Sequence, residues 1–489
     1  MYNFILNIKK NYSTMSASKK SIIWFTLATI IQNGILFLVT PIYTRILSGE
    51  EYGIYSIYQS WQQIISILAI VALDRCITVG FIKFTKKRKE FLSSIQTLMT
   101  LLVFICTFIV CIFPDFFVNL IDLPIYIIVT MFLVSLMNNS LANWSWYQRY
   151  NYNYKKLTFI TVLSTLLMQI VAITSILLFA NENKGIILIM SLSGARILLY
   201  GIIYLSVFIR GRETYNKIYW NFGLKFSIAV VPHALAQIIL NSSDRIMIDT
   251  FCSRAETAYY GVTYSAGMVL NTILTSISSA VQPWYFEKIK LKDYKSIRVL
   301  TNKLLIFSAL LSVGVSLFAP EILGIMAPSS YSAALWVFPS IAASAYFNSM
   351  YLYFANFESY YEKPIYFSIA TTTGAIVNIV LNLIFIPIFG FIAAGYTTLL
   401  CYILFAFMHY IFMKKICKEF IKGATIFDLK FILILSLVVL VITFCITLLY
   451  NNPLIRYGMI IILLIILLFK REYLLQQLKD ILKSKNGGI

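Results

Sequence analysis

The sequence predicts an all-α integral membrane protein of about 14 transmembrane helices, built as two six-helix lobes with two C-terminal helices appended. Three observations carry this. Of the 489 residues, 60% are hydrophobic and 12% charged, against about 25% charged in a soluble domain that must cover its surface. The apolar residues fall in long blocks near the ~20 residues a helix needs to cross hydrocarbon. Basic residues alternate from one side of these blocks to the other. A water-soluble enzyme is excluded.

The first seven blocks are Ser21–Tyr43, Tyr55–Phe81, Phe91–Phe113, Ile125–Tyr147, Leu157–Ala180, Gly185–Ile209 and Phe222–Ser243. The second seven are Thr257–Val281, Leu304–Phe318, Ala333–Asn356, Pro364–Ile386, Phe391–Met413, Phe431–Tyr450 and Leu454–Phe469, of which the ninth and fourteenth overall are shortest. The first block is too long for a signal-peptide core and lacks a small-residue cleavage pattern after it, so it reads as a retained span.

Cytoplasmic loops carry the excess of Lys and Arg. With the N-terminus inside, 33 of the 40 basic residues fall on the cytoplasmic side, among them Lys83, Arg88, Arg149, Arg210, Lys288, Arg298, Lys363, Lys414 and Lys470. The opposite side holds Arg45, Lys184, Arg245, Arg254 and Arg456, while Arg75 and Arg196 lie within spans. A shift of one span would scramble this alternation. The net charge of +20 is therefore a topology signal whose partner is the lipid bilayer with its anionic headgroups, and no nucleic acid is needed to explain it.

The remaining chemistry is sparse. Seven scattered cysteines show no CxxC spacing, and His233 and His409 form no cluster, so neither a disulfide framework nor a metal site is implied. No phosphate-binding GxxxxGK[ST] loop is present and no cofactor is called for. Connecting segments hardly exceed 20 residues, which leaves no room for a soluble catalytic domain.

Two stretches read alike at an offset of 208 residues: Tyr52-Gly53-Ile54-Tyr55-Ser56 after span one, and Tyr260-Gly261-Val262 after span seven. At the same offset Ile31-Gln32-Asn33 meets Ile239-Leu240-Asn241. Both spans run outward, so a six-span repeat would be parallel, the arrangement in which transporters place a substrate site between halves. It divides the chain into 1–210 (spans one to six), 211–413 (spans seven to twelve) and 414–489 (spans thirteen and fourteen and a cytoplasmic tail).

Polar residues within the spans fall on faces at 100° per residue. Span one has Thr26, Thr29, Asn33 and Thr40; span two has Ser56, Gln59, Ser60, Gln63, Asp74 and Thr78. Span seven has His233, Gln237 and Asn241, leading to Asp244 and Arg245; span eleven has Asn378 and Asn382. Helix–helix hydrogen bonding explains any one of them. Together the four stripes read as the wall of a wet cavity. Charged residues within spans are sharper evidence, since an Arg or Asp at mid-span costs about 2.5–3.5 kcal/mol on insertion scales. Arg196 and His233 lie near mid-depth, with Asp74 and Arg75 nearer the inner face. They read either as a brace, Asp74 with Arg196, or as a cavity cation, Arg75 or Arg196, facing an anionic headgroup whose oxygens match the planar guanidinium. In the second reading Asp74 or His233 is the candidate carrier of a coupling proton.

The run Trp144, Trp146, Tyr147, Tyr150, Tyr152 and Tyr154 reads as an interfacial aromatic belt, with sugar stacking as the alternative. Pro41, Pro232, Pro283 and Pro387 mark kinks or span ends.

The stretch Pro41-Ile42-Tyr43-Thr44-Arg45-Ile46-Leu47-Ser48-Gly49-Glu50-Glu51-Tyr52-Gly53 resembles the segment after the first span of polysaccharide and O-antigen repeat-unit flippases. These form the polysaccharide transporter branch of the multidrug/oligosaccharidyl-lipid/polysaccharide exporter superfamily. Asp244-Arg245-Ile246-Met247-Ile248, followed by Tyr260-Gly261, is similar to the family's junction between spans seven and eight. The resemblance implies a MATE-like two-lobed bundle with a cavity that alternates between membrane faces. The implied substrate is an undecaprenyl-diphosphate-linked oligosaccharide, moved from the cytoplasmic to the outer leaflet of a bacterial inner membrane with both termini cytoplasmic. Polysaccharide polymerase machinery is the implied protein partner, and coupling to a proton or sodium gradient is implied as well. Carried onto this chain, the cavity residues are Arg75, Arg196, His233, Gln237, Asn241, Asn33 and Gln63, with Asp74 and His233 for ion coupling. The resemblance fits O-antigen, lipopolysaccharide and capsule synthesis alike. Alternatives are another exporter of the superfamily, for drugs or a peptidoglycan precursor, and a membrane glycan polymerase; short outward loops count against the last.

Overall fold

The computed structural model describes residue 15 and residues 17–179, 183–421, 423 and 425–469. The basic residues Lys9, Lys10, Lys422, Lys470, Arg471, Lys479, Lys483 and Lys485, and the tail expected on the cytoplasmic side, lie outside them. Hydrocarbon offers no partner to a backbone N–H or C=O, so a spanning chain closes its hydrogen bonds within each segment. Among the described residues, seventeen α-helices do so. They are α1 (Ala17–Ile46), α2 (Gly49–Leu68), α3 (Cys76–Lys83), α4 (Arg88–Ile112), α5 (Pro114–Ile121), α6 (Ile125–Tyr150), α7 (Tyr154–Leu178) and α8 (Lys184–Gly211). Then follow α9 (Lys217–Phe251), α10 (Arg254–Lys290), α11 (Tyr294–Leu317), α12 (Ala319–Met326), α13 (Phe338–Tyr360) and α14 (Pro364–Phe389). The last are α15 (Ile392–Phe420), α16 (Leu429–Thr447) and α17 (Pro453–Phe469).

Each of the fourteen apolar blocks coincides with a helix or, for the second, with the pair α2 and α3. By length and apolarity, however, ten helices among the described residues qualify as spans, or eleven if the bent α2–α3 pair counts as one. The expected fourteen is not reached on that measure because α10 and α13 are rich in Ser, Thr, Asn and Tyr and α17 is short. For α13 the reason is packing: nearly every residue from Phe338 to Met350 is buried in protein, so none of that stretch needs to be apolar toward lipid.

The chain forms two compact units, one of residues 1–249 with Ser253–Ala258, the other of 250–252 with Tyr259–Ile489. Helix α9, expected to open the second lobe, packs in the first unit. Trp220 Nε1 donates to the Ser94 carbonyl at 3.0 Å, and Ala234 packs with Ile67 and Ala72. Helices α16 and α17, expected as a separate appendage, belong to the second unit.

In the first unit, α6 packs on α2, α4 and α8, and α7 packs on α1 and α8. One carboxylate joins two of these helices. Ser48 and Glu51 form a reciprocal capping box at the start of α2, with Ser48 N donating to Glu51 Oε2 at 2.8 Å and Glu51 N to Ser48 Oγ at 3.2 Å. The other Glu51 oxygen accepts from Lys184 N at 2.9 Å, at the start of α8. Two residues on, a Cβ at Gly53 would sit 2.1 Å from the Arg254 carbonyl oxygen, so only glycine permits that approach. Arg254 in turn pairs with Asp122 and lies 3.8 Å from Asp249.

The second unit is built around α13, which packs against α15, α11 and α16. Its core is aromatic, with Tyr285, Tyr346, Tyr353, Phe354 and Phe357 all buried. Tyr285 and Thr301 share a hydroxyl–hydroxyl bond of 2.5 Å, so the phenol is not stranded in the core. A Cβ at Gly395 would approach Ser340 Oγ to 2.4 Å, which is how α15 closes on α13. His409 Nδ1 on α15 and Glu358 Oε1 on α13 lie 2.7 Å apart, 1% and 0% exposed, with Tyr351 stacked on the imidazole. Arg456, expected in an outward loop, is buried and forks onto Glu321 at 2.5 and 3.1 Å, tying α17 to α12. Between α10 and α11, Asp293 caps α11. A hydrogen bond from Lys288, helped by Ser296, holds its carboxyl down at about 2.

Two outcomes follow for the purified protein. Gly53→Ala is expected to lower unfolding free energy by about 2 kcal/mol through overpacking against a rigid carbonyl, and an unchanged unfolding temperature would refute the close approach. His409→Leu is expected to cost about 3 kcal/mol, because it leaves the buried Glu358 carboxyl without its partner. Replacing both residues by Leu is expected to recover most of that loss; a double variant that loses the sum of the His409→Leu and Glu358→Leu losses would show that the pair is not coupled.

Candidate functional site

The second span breaks where its charges sit. Between Gly49–Leu68 and Leu73–Lys83 the chain bends by 65°; the second arm opens on a short 3₁₀ turn, Leu73–Arg75, and the residues before it, Val71 and Ala72, have φ of 52° and 51°. Such left-handed geometry is costly without glycine. The backbone is nevertheless satisfied locally: Ala72 N donates to Ile67 O at 3.1 Å and Arg75 N to Ala72 O at 3.0 Å. Arg75 Nε lies 3.2 Å from Asp74 Oδ2, and Asp74 Oδ1 is buried with no hydrogen-bond partner. His233, on α9, lies close enough to Arg75 to feel its charge. The turn thus gathers Asp74, Arg75 and His233 in one neighbourhood.

Arg196 stands apart from them on α8. The expected Asp74–Arg196 brace is not made, because Asp74 takes its sequence neighbour Arg75 instead. Arg196 is half-buried, and its charge acts on Tyr55, Tyr58 and Tyr200. It has no hydrogen bond and no ion pair among the described residues. Tyr58 itself is held by Ser193 at 2.9 Å.

The polar stripes divide. On span two the bend breaks the helical phase, so Asp74 and Thr78 do not continue the row of Ser56, Gln59, Ser60 and Gln63. Ser56 and Ser60 are buried and return hydrogen bonds to the carbonyls of Tyr52 and Ser56 on their own helix. Gln63 is exposed, 3.5 Å from the Gln59 carbonyl. On α9, Gln237 is exposed and Asn241 Nδ2 donates back to the Gln237 carbonyl at 2.7 Å. Asn33 is half-buried without a hydrogen bond among the described residues. Asn378 and Asn382 are fully buried; Asn382 Nδ2 donates to Asn378 Oδ1 at 3.2 Å, and the Thr397 hydroxyl bonds to Asn382. That stripe braces α14 to α15.

The aromatic run expected as an interfacial belt is partly packed in protein, with Trp146 and Tyr152 exposed. Trp144 is buried, Tyr147 and Tyr150 meet Phe81 edge-on, and Tyr154 stacks on Trp24. Tyr147 and Tyr150 thus pack α6 on α3, and Tyr154 packs α7 on α1. Trp146 does something else. It lines a cavity of about 270 Å³ between α1, α6 and α7, whose walls include Thr29, Gln32, Asn138, Ser145, Thr161 and Arg149. Gln32 Nε2 donates to the Thr161 carbonyl at 3.2 Å, which fixes one wall.

Sequence reasoning missed Gln32, Arg149 and Glu358. Gln32 shares its local motif with Asn33, and only packing shows which amide reaches α7. Arg149 reads as one more inner-loop cation. Glu358 falls just past the block Ala333–Asn356, while its partner His409 is 51 residues away on another helix.

Residues 18–290, more than half of the 489, match the family described as polysaccharide biosynthesis protein. No curated protein sequence matches the chain. Among solved structures, the chain is similar to the lipid II flippase MurJ in an inward closed conformation. The TM-score is 0.71 at 16% identity, over 92% of this chain and 100% of that one. It is also similar to an inward-facing multidrug resistance MATE transporter of the MOP superfamily, with a TM-score of 0.60 at 10% identity, over 82% and 96%. A eukaryotic MATE transporter gives 0.52 at 13%, over 86% and 99%. The chain belongs to the polysaccharide biosynthesis protein family, and its fold is that of MurJ and the MATE transporters.

Proposed function

We propose that the protein is a flippase for undecaprenyl-diphosphate-linked oligosaccharide repeat units, moving them by alternating access from the cytoplasmic to the outer leaflet of a bacterial inner membrane. Family membership and fold support a transport role in surface polysaccharide synthesis. One observation carries the choice of an anionic cargo. Arg196 is half-buried near mid-depth of its span and has neither hydrogen bond nor ion pair among the described residues. A guanidinium left so in a membrane lobe costs free energy unless an anion completes it. Its planar donors suit phosphate oxygens.

A diphosphate-sugar headgroup cannot cross hydrocarbon unaided, while its polyprenyl tail is at home in lipid. A polar wall carrying one unmatched cation replaces water around the headgroup during passage. Asp74, Arg75 and His233 at the bend form the second charged group, proposed to contact the substrate or to carry a coupling ion, while Asn33, Gln63, Gln237 and Asn241 are proposed to line its path. Both termini are proposed to be cytoplasmic, with the polymerase acting on the outer face.

Loss of the protein is expected to trap complete lipid-linked units on the cytoplasmic leaflet, read by leaflet-selective labelling of extracted polyprenyl lipids. Units that reach the outer face without being polymerised would point to a polymerase, and unchanged lipids to another exported cargo. Arg196→Ala is expected to reduce export at least tenfold with normal membrane insertion; undiminished export would overturn the role given to Arg196.

A further inference from the structure

The cavity between α1, α6 and α7 holds a second cation without a counter-ion. Arg149 lies in the last turn of α6, and its guanidinium carbon is 4.9 Å from the ring centres of both Phe25 and Trp146. Both rings lie within cation–π distance of it. No carboxylate pairs with it among the described residues, in contrast to Arg75 on Asp74 and Arg254 on Asp122. The N–H edge donates to no acceptor among those residues. A clasped, oriented and unsatisfied fork is a preformed phosphate donor set.

The rest of the cavity suits what would hang from that phosphate. Its volume of about 270 Å³ is far above the ~15 Å³ that one water requires on the same kind of measure. Hydroxyl and amide groups of Ser145, Asn138, Thr29 and Gln32 line it. From Arg149 to Asn138 is eleven residues of helix, a depth of about 16 Å. Phe25, Ala28, Leu141, Ala142, Trp146 and Leu157 complete the walls, so the lining is mixed, and inorganic phosphate would fill only the mouth. A sugar attached to a phosphate would use both ends.

Resting on the flippase reading, we infer that this cavity is a loading site for the cargo in the inner leaflet, distinct from Arg196. Arg149 binds the diphosphate, Phe25 and Trp146 hold the guanidinium, and the polar walls receive the first sugar. The lipid tail remains in the bilayer.

The test uses the full chain in nanodiscs of uncharged phosphatidylcholine, with a radiolabelled polyprenyl diphosphate monosaccharide as probe. Arg149→Ala is expected to weaken binding about tenfold and Arg149→Lys less, because lysine keeps the charge but not the fork. Ser145→Trp fills the cavity without touching the charge and is expected to abolish binding. Lys156→Ala, which removes an exposed inner-side charge, is expected to leave it unchanged. An excess of phosphatidylglycerol is expected not to compete; equal competition would mean that the cavity takes any anionic lipid, and the assignment falls. If the wild type binds and both Arg149→Ala and Ser145→Trp bind as tightly, the loading site falls while the flippase reading stands. If the wild type binds no diphosphate lipid, both fall together.

Discussion

Hydrocarbon gives no partner to a polar group, and this structure follows from that constraint. It forces the backbone into helices and makes side-chain polarity meaningful wherever it occurs. Within each unit, most polar groups find one another. Ser56 and Ser60 return to their own helix, Asn382 reaches Asn378, Tyr285 meets Thr301, and Glu358 meets His409. Such closures hold helices in register, as interhelical hydrogen bonds do where packing alone has little apolar driving force. They carry no chemistry beyond it.

Other groups are left over, and the buried ones include Glu358 Oε2, Tyr331 Oη and Arg456 Nε. Arg196 and Arg149 have no counter-ion among the described residues, and one oxygen of Asp74 is buried without a hydrogen bond. Arg196 is a half-buried guanidinium, which stays charged at any physiological pH and so cannot relieve its burial by losing a proton. A cargo with phosphate oxygens resolves that tension, and a cationic drug would aggravate it. This is the physical link between the fold and the proposed lipid-diphosphate substrate.

The segment that signals the family in the sequence has a structural task. Ser48 and Glu51 close the start of α2, Glu51 also closes the start of α8, and Gly53 lets the backbone at Arg254 approach. Three chain segments meet through one carboxylate and one missing side chain. Polar groups here lie at the helix ends, where N–H groups lack intrahelical partners, and not in a cavity. A motif specific to a family can thus belong to its scaffold and leave cargo choice to residues deeper in the spans.

The sequence by itself determined the class, the helical blocks and the family resemblance, because block length and composition respond directly to the bilayer. It also singled out Arg196, since a charge in the middle of an apolar run needs no partner to be noticed. It put Asp74, Arg75 and His233 within reach of one idea but could not bring them together. That required the 65° bend between α2 and α3, where two non-glycine residues adopt left-handed backbone angles. A helical wheel drawn across Leu68–Cys76 assumes a phase that the bend destroys, so the span-two stripe was misread. Packing alone decided that α9 sits with the first unit, that Asn378 and Asn382 brace α14 to α15, and that Arg149 lines a cavity beside Phe25 and Trp146. Periodicity along one helix gives the face of a residue; which neighbour covers that face depends on contacts between residues over a hundred positions apart.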